Sequence, residues 1–295
     1  MHLFGHISSL SLLNKLKDKP IEIIIPGDDF SYRCPLIKTR ADFEALYLRA
    51  LDLGFHPYIE LNGFVMPDQL ESLSLYLDYL LSFKPKGFYL NDLAGYMLLK
   101  EKAYHGELVY CPDTLLTNHY EASVFLNDFD RVLLAKELTI DEYRLITHQL
   151  PEKCEMFGIG HLMMAVSRRP LLSSYFEFIQ AERDVINDLN YRIVESKRSD
   201  SMPILQEEDT TSVYMDGIFT MFQHLSSFKQ DLYGIHLDPL FIPEEAFIEL
   251  LDLVIKVKQD GYDANAFEVI KQRYPSLKWS DGYLNRSTNA SKDGN

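Results

Sequence analysis

The chain has 295 residues, 46% of them hydrophobic and 25% charged, with 18 Tyr and 18 Phe, a composition that builds a large packed core and excludes a disordered or fibrous chain. A formal net charge of −15 repels phosphate backbones, so a role on RNA would need basic surface supplied by another molecule. No apolar run approaches the roughly 18 residues of a membrane span. The first residues lack the pattern of a signal peptide, and the three scattered cysteines, Cys34, Cys111 and Cys154, have no C-x-x-C spacing. These features predict a reduced, cytoplasmic protein with no membrane attachment and no cysteine-based cluster of its own.

Along the chain, short apolar runs alternate with amphipathic stretches. HLF at 2–4 precedes SLSLLNKLKD, and IEIIIP at 21–26 precedes a helix that opens at Thr39 and stops at Gly54. HPYIEL at 56–61, GFYL at 87–90 and ELVYC at 107–111 each lead into a further helical pattern. RVLLA at 131–135 precedes a helix whose Thr139 and Glu142 have capping-box spacing. CEMFG at 154–158 precedes a Gly-rich turn and a long helix over 170–190, and YGIHL at 233–237 precedes PEEAFIELLDLVIKVKQD. Eight strand–helix units without a Gly-x-Gly-x-x-Gly fingerprint predict a (β/α)8 TIM-like barrel, of class α/β. Residues 191–216 break the rhythm and predict a small antiparallel β insertion. The barrel accounts for 1–262, and 263–295 form a C-terminal segment with a frayed polar tail.

Chemistry on such a barrel sits at the C-terminal ends of the strands. That rule selects Asp28, Asp29, Glu60, Asn62, Asn91, Asp92, Asp113, His119, Lys136, Glu137, His161, Ser167, Arg168, Arg169, His236 and Asp238. Glu155 lies inside a strand between apolar neighbours, where a carboxylate needs a partner. Arg168 or Arg169 is the partner its sequence neighbourhood offers. The two arginines suit a carboxylate or phosphate near a helix start. Read blandly, they are solvated residues, and Glu155 belongs to a structural ion pair. Glu137 suits a general acid or base and equally a helix N-terminal acid. Asn62 suits a substrate hydrogen bond or a turn cap. The histidines have no metal-ligand spacing, so no metal site is predicted. Ser167 and Ser173 lie near His161 in sequence, but no G-x-S-x-G elbow is present.

Several of these segments resemble peptidase family U32, the collagenase-like peptidases. The resemblance rests on Glu155-Met-Phe-Gly-Ile-Gly160, Ser167-Arg-Arg169 and Leu171-Leu-Ser-Ser-Tyr175. RVLLAKELT at 131–139, YRIVESKRSDSMPILQEED at 191–209 and TNHY at 117–120 agree with it, and it spans roughly residues 20–242. It implies a (β/α) barrel and two kinds of activity: peptide cleavage, or hydroxylation of wobble uridine in tRNA, of ribosomal RNA or of a quinone ring. This chain is similar to the short form that occurs beside a longer paralogue and serves tRNA hydroxylation.

The implied site comprises Glu155, Glu137 and His161 as catalytic residues. Arg168, Arg169, Ser167, Asn62, His119 and Asp238 are the candidate ligand-binding residues, the arginine pair for a small carboxylate. Cluster-bearing members have cysteines where Met163 and Pro170 stand here. The resemblance therefore implies no iron–sulfur cofactor in this chain, a longer U32 paralogue as partner, and tRNA reached only through that partner. A peptidase and a non-catalytic barrel scaffold are the competing readings.

Overall fold

A computed structural model describes residues 1–113, 116–194, 200–228 and 231–286. Twelve strands are described: β1 (His2–His6), β2 (Glu22–Pro26), β3 (Tyr58–Leu61), β4 (Gly87–Leu90), β5 (Glu107–Tyr110), β6 (Arg131–Leu133), β7 (Cys154–Ser167), β8 (Arg192–Val194), β9 (Ser201–Gln206), β10 (Thr211–Thr220), β11 (Leu232–Leu237) and β12 (Trp279–Ser280). The helices are α1 (Leu10–Lys15), α2 (Arg40–Asp52), α3 (Leu70–Leu81), α4 (Leu93–Glu101), α5 (His119–Phe125), α6 (Ile140–Gln149), α7 (Leu171–Phe178), α8 (Glu244–Asp260) and α9 (Ala264–Arg273).

Strands β1 to β7 pair in order and in parallel. β11 pairs in parallel with both β7 and β1, which closes an eight-stranded parallel barrel wrapped by helices. The predicted (β/α)8 class is the observed one. Helix starts follow the side chains the sequence places there. Thr39 and Asp42 form a reciprocal capping box on α2, as do Thr139 and Glu142 on α6. Gly54, at φ +86°, ends the α2 turn as the αL residue that glycine adopts without steric cost.

Most of the apolar core lies between strands and helices. A second apolar group lies inside the barrel: Phe4, Ile24, Tyr58, Tyr89, Val109, Cys111 and Leu133. Inward-pointing residues of successive strands thus fill part of the lumen, as barrel geometry requires.

Strand β7 departs from the sequence reading. It does not stop at Gly158 but runs through Ser167. Its first half pairs with β6 and β11, and its second half pairs antiparallel with β10 of the insertion. The insertion supplies the ladder partner that keeps the strand extended beyond the barrel rim. Gly160 is where it bends away: φ is +140°, and a Cβ there would meet the Asp238 carbonyl oxygen at 2.8 Å. The helix expected over 170–190 is only α7, ending before Gln180 at φ +56°. The insertion, expected over 191–216, runs to Thr220 in β10, with 195–199 outside the described residues. After 262 the chain forms α9, then β12, which adds in parallel to β10. Positions 287–295 of the expected frayed tail lie outside the described residues.

Candidate active site at the barrel mouth

An unbroken chain of polar side chains runs through the lumen. At the N-terminal end of the barrel, Arg131 Nη1 donates to Glu107 Oε2 at 2.6 Å, and Arg131 Nε donates to Glu155 Oε1 at 2.6 Å. Tyr89 donates to Glu155 Oε2 at 3.0 Å, and His236 Nε2 lies 2.7 Å from the same oxygen. His236 Nδ1 is 2.8 Å from His6 Nε2, and His6 Nδ1 is 3.3 Å from Glu60 Oε2. Arg33 then reaches Glu60 Oε1 at 3.4 Å and Asp113 Oδ1 at 3.1 Å. Lys136 and Tyr32 complete Asp113 at 2.8 and 3.0 Å.

These charges are deep. The side chains of Glu155 and His236 have no exposure, and those of Asp113 and Lys136 have 4% each. Burial alone would cost several kcal/mol per ion, so the pairing decides which groups ionise. Burial pushes the Asp113 carboxyl up, but the charges of Arg33 and Lys136 outweigh it and hold the group well below the usual carboxylate range. Glu155 and Glu60 behave alike: burial raises each, but His236 and Arg131 pull Glu155 below its ordinary value, and His6 and Arg33 do the same for Glu60. Burial lowers His6, yet Glu60 outweighs it through charge and hydrogen bond, and His6 ends raised. Burial also lowers His236; Glu155 opposes this only partly and His6 adds to it, so His236 ends lowered.

The hydrogen count agrees with this division. The 2.8 Å nitrogen–nitrogen contact holds a single hydrogen. With a carboxylate at each outer nitrogen, the pair carries one imidazolium and one neutral ring. The four carboxylates Glu107, Glu155, Glu60 and Asp113 then face Arg131, Arg33, Lys136 and one imidazolium, and the chain of charges is neutral.

Two members of the outer ion pair sit in strained backbone. Arg33 and Asp113 have φ of +69° and +64°, a region that costs a residue with a Cβ about 1 kcal/mol or more. Asn62 fixes the Arg33 loop by accepting from the Tyr32 amide at 2.8 Å, and Glu207 of the β9–β10 turn accepts from the amides of Arg33 and Cys34 at 2.8 and 2.9 Å.

The outer end of the chain opens on a cavity of about 380 Å³. His6, Glu60, Arg33 and Asp238 form its polar side, and its apolar wall includes Leu36, Leu240 and Phe241. Arg192 of the insertion also lines it, with its guanidinium 5.3 Å from the centre of the Phe241 ring.

The structure distributes the residues selected from sequence unevenly. Glu60, Asn62, Asp113, Lys136, Glu155, His236 and Asp238 belong to this network or its cavity. Glu155 does not pair with Arg168 or Arg169; its partner is Arg131 from the neighbouring strand. Arg168 and Arg169 are exposed at the far end of β7, where the Arg168 guanidinium approaches Asp209 at 3.5 Å. Arg168 lines a second, acidic groove with Asp28, Asp29, Glu207, Glu208 and Asp209. The α7 amides nearby are already taken: Leu171 N by Thr211 and Ser173 N by Gln206.

Glu137 is exposed, the His119 ring lies tilted against Tyr120 at the start of α5, and Ser167 pairs in the ladder opposite Thr211. His161 Nδ1 is 2.8 Å from the Met215 carbonyl oxygen, and its ring edge meets Phe241. Among the described residues no serine or cysteine hydroxyl or thiol hydrogen-bonds a histidine ring. Met163 packs with Tyr32, Leu205 and Tyr214, and Pro170 caps α7, so neither position offers a thiolate. Among the described residues no three His, Cys, Asp or Glu side chains converge as a metal site.

Sequence reasoning missed His6, Arg33, Arg131, Tyr32 and Tyr89. His6 ends β1 and obeys the strand-end rule once that strand is read to its true length. Arg131 opens β6, at the end of the barrel the rule ignores.

A closed parallel barrel with a polar chain that runs through its lumen to the C-terminal strand ends defines the class of (β/α)8 proteins that place their chemistry at that mouth. The model of peptidase family U32 matches residues 13–235, and the chain belongs to that family. It is 24% identical over 233 residues to the tRNA hydroxylation protein P2 of Bacillus subtilis (strain 168), covering 74% of each chain. The structure of the U32 peptidase Mk0906 superposes at a TM-score of 0.53 with 15% identity, covering 81% of this chain and 92% of the other; that likeness shows the fold.

Proposed function

We propose that this chain is a component of a system that hydroxylates wobble uridine in tRNA, and that it works in the cytoplasm beside a longer U32 paralogue that carries the RNA. The observation that carries the reading is the similarity to the tRNA hydroxylation protein P2, which extends over the same 74% of both chains. The geometry agrees with it. The mouth holds a buried acid–base chain, and among the described residues no serine or cysteine side chain hydrogen-bonds a histidine ring, which favours a role other than peptide cleavage. A barrel kept only as a scaffold has no reason to keep four carboxylates in its lumen at the desolvation cost such groups carry. The surplus of negative charge, −15 overall, suits a subunit whose partner contacts the phosphates.

Within this reading Glu155 belongs to the proton-bearing chain. His161 packs on Phe241 of the cavity wall, Asp238 lines the cavity, and Asn62 holds the Arg33 loop beside it. Glu137 and His119 lie outside it. Arg168, Arg169 and Ser167 form an outer site for a carboxylate of a small ligand or of the partner. In this reading the chain carries no iron–sulfur cluster of its own; Met163 and Pro170 supply no thiolate.

The test is nucleoside mass spectrometry of total tRNA from a strain lacking this gene, complemented by wild type or by Glu60→Gln. Loss of the hydroxylated uridine, restored by wild type and not by Glu60→Gln, is the expected result. An unchanged nucleoside profile in the deletion strain refutes the reading.

A further inference from the structure

Glu60 is the least tightly held carboxylate in the network. Its two side-chain contacts are 3.3 and 3.4 Å, whereas those of Asp113 are 2.8–3.1 Å and those of Glu155 are 2.6–3.0 Å. It is also the carboxylate of the chain that lines the mouth cavity, at 4% exposure. The cations around the cavity are already engaged. Arg33 is held by Asp113 and Glu60, His6 by Glu60 and His236, and Arg192 by the carbonyls of Leu189 and Tyr191. The site therefore offers a ligand an acceptor whose own contacts are long, Glu60, beside the guanidinium of Arg33. Part of the wall is apolar, with Leu12, Leu36, Leu189, Leu240, Phe241 and Ile242.

We propose that the mouth cavity is an acid–base catalytic site for a small, largely apolar, hydroxyl-bearing molecule, in which Glu60 takes the hydroxyl proton and the His6–His236 pair carries the balancing positive charge. In the step, the ligand O–H bond breaks and a Glu60 O–H bond forms. The electron pair stays on the ligand oxygen, which faces Arg33 and the imidazolium. Total charge is unchanged: Glu60 becomes neutral and the ligand becomes an anion. The imidazolium charge sits on His6, against that oxyanion, or on His236, against Glu155, by movement of one proton across the 2.8 Å contact. Glu60 and His6 are the catalytic residues; His236 and Glu155 position and charge-balance them.

His6 meets Glu60 from β3, His236 from β11, and the charges of Asp238 and Arg33. His236 meets Glu155 from β7, Tyr89 from β4 and Phe4 from β1.

The experiment uses the full chain with 15N-labelled histidine, and imidazole 15N resonances assigned through His6→Asn and His236→Asn. At neutral pH the wild type is expected to show one imidazolium and one neutral ring in this pair. Phenol, benzoate and benzylammonium are then titrated as probes. Phenol is expected to shift the His6 resonances, and Glu60→Gln to weaken phenol binding about tenfold, since a charged acceptor is replaced by a weaker neutral amide oxygen. Two neutral rings, tighter binding of benzoate or benzylammonium than phenol, absence of any phenol-induced shift, or a Glu60→Gln chain that melts as wild type and binds phenol equally would each overturn the proposal. The wild-type arms need no variant to fold. No arm uses tRNA, so failure of the tRNA reading leaves this site standing, and the reverse also holds.

Discussion

Replacing Arg131 by Met removes the cation that holds two carboxylates at the N-terminal end of the lumen. The Arg131 side chain is 6% exposed, Glu155 is fully buried and Glu107 is 35% exposed. In the variant, Glu107 keeps Tyr58 and partial contact with water, but Glu155 keeps only His236 and Tyr89. Breaking a buried pair in this way costs about 3–5 kcal/mol, a fall in Tm of about 10 °C for a chain of this size. The sign of the pH dependence is also fixed. Burial raises the Glu155 carboxyl, but His236 and Arg131 together bring it below its ordinary value. Its contribution in the wild type is therefore present above the ordinary carboxylate range and lost as pH falls through the folded value. Without Arg131 the penalty falls on the charged form, so the deficit against wild type is largest at neutral pH and narrows toward about pH 4. Adding Glu155→Gln removes the unpaired charge, and the double variant should melt above the single one. Calorimetric melting across pH checks all three points. A deficit below about 1 kcal/mol, a deficit independent of pH, or a double variant less stable than Arg131→Met would refute the reasoning.

Two further outcomes follow from local geometry. Thr39→Ala and Thr139→Ala each remove one side of a capping box and should each lower stability by about 1 kcal/mol in thermal melting; no change in either would mean that tertiary packing alone fixes those helix starts. His6 has a raised folded value because Glu60 outweighs burial. Its contribution is complete below the ordinary histidine range and is lost as pH rises through the folded value, so Tm should fall between about pH 6 and pH 8 and Glu60→Gln should flatten that slope. An equal slope in the Glu60→Gln variant would place the titration on another group.

The barrel was legible because its signals are local. Apolar runs of four to six residues, caps at Thr39 and Thr139 and the stop at Gly54 act within one turn of chain, and all three kinds of signal reappear in the structure. The strand-end rule also found Glu60, Asp113, Lys136, His236 and Asp238, because a closed parallel barrel carries those positions to one face. What stayed illegible depends on contacts distant in sequence. Arg131 and Glu155 are 24 residues apart, and His6 and His236 are 230 apart, and no spacing motif encodes either. The adjacent pair Arg168–Arg169 drew attention by sequence proximity to Glu155. The intervening strand is extended, however, and thirteen residues at about 3.3 Å each carry the arginines far from the lumen. The length of β7 itself was hidden, since its second half is a strand only because β10 pairs with it.

That long strand also explains why the insertion and the mouth act as one device. The first half of β7 places Glu155 in the lumen, and its second half carries the insertion. From the β9–β10 turn, Glu207 reaches back to the amides of Arg33 and Cys34. The insertion therefore holds the left-handed loop whose guanidinium joins Asp113 to Glu60. A residue held at positive φ persists only while its surroundings over-determine it, and here the surroundings are Asn62 on one side and Glu207 on the other. Leu171, Tyr175 and Phe178 of α7, carried by the same insertion, are exposed. Any displacement of the β9–β10 turn relative to the barrel would loosen Arg33 and leave Glu60 with His6 as its remaining charged partner. The acid–base character of the mouth is thus set from outside the barrel as well as from within it.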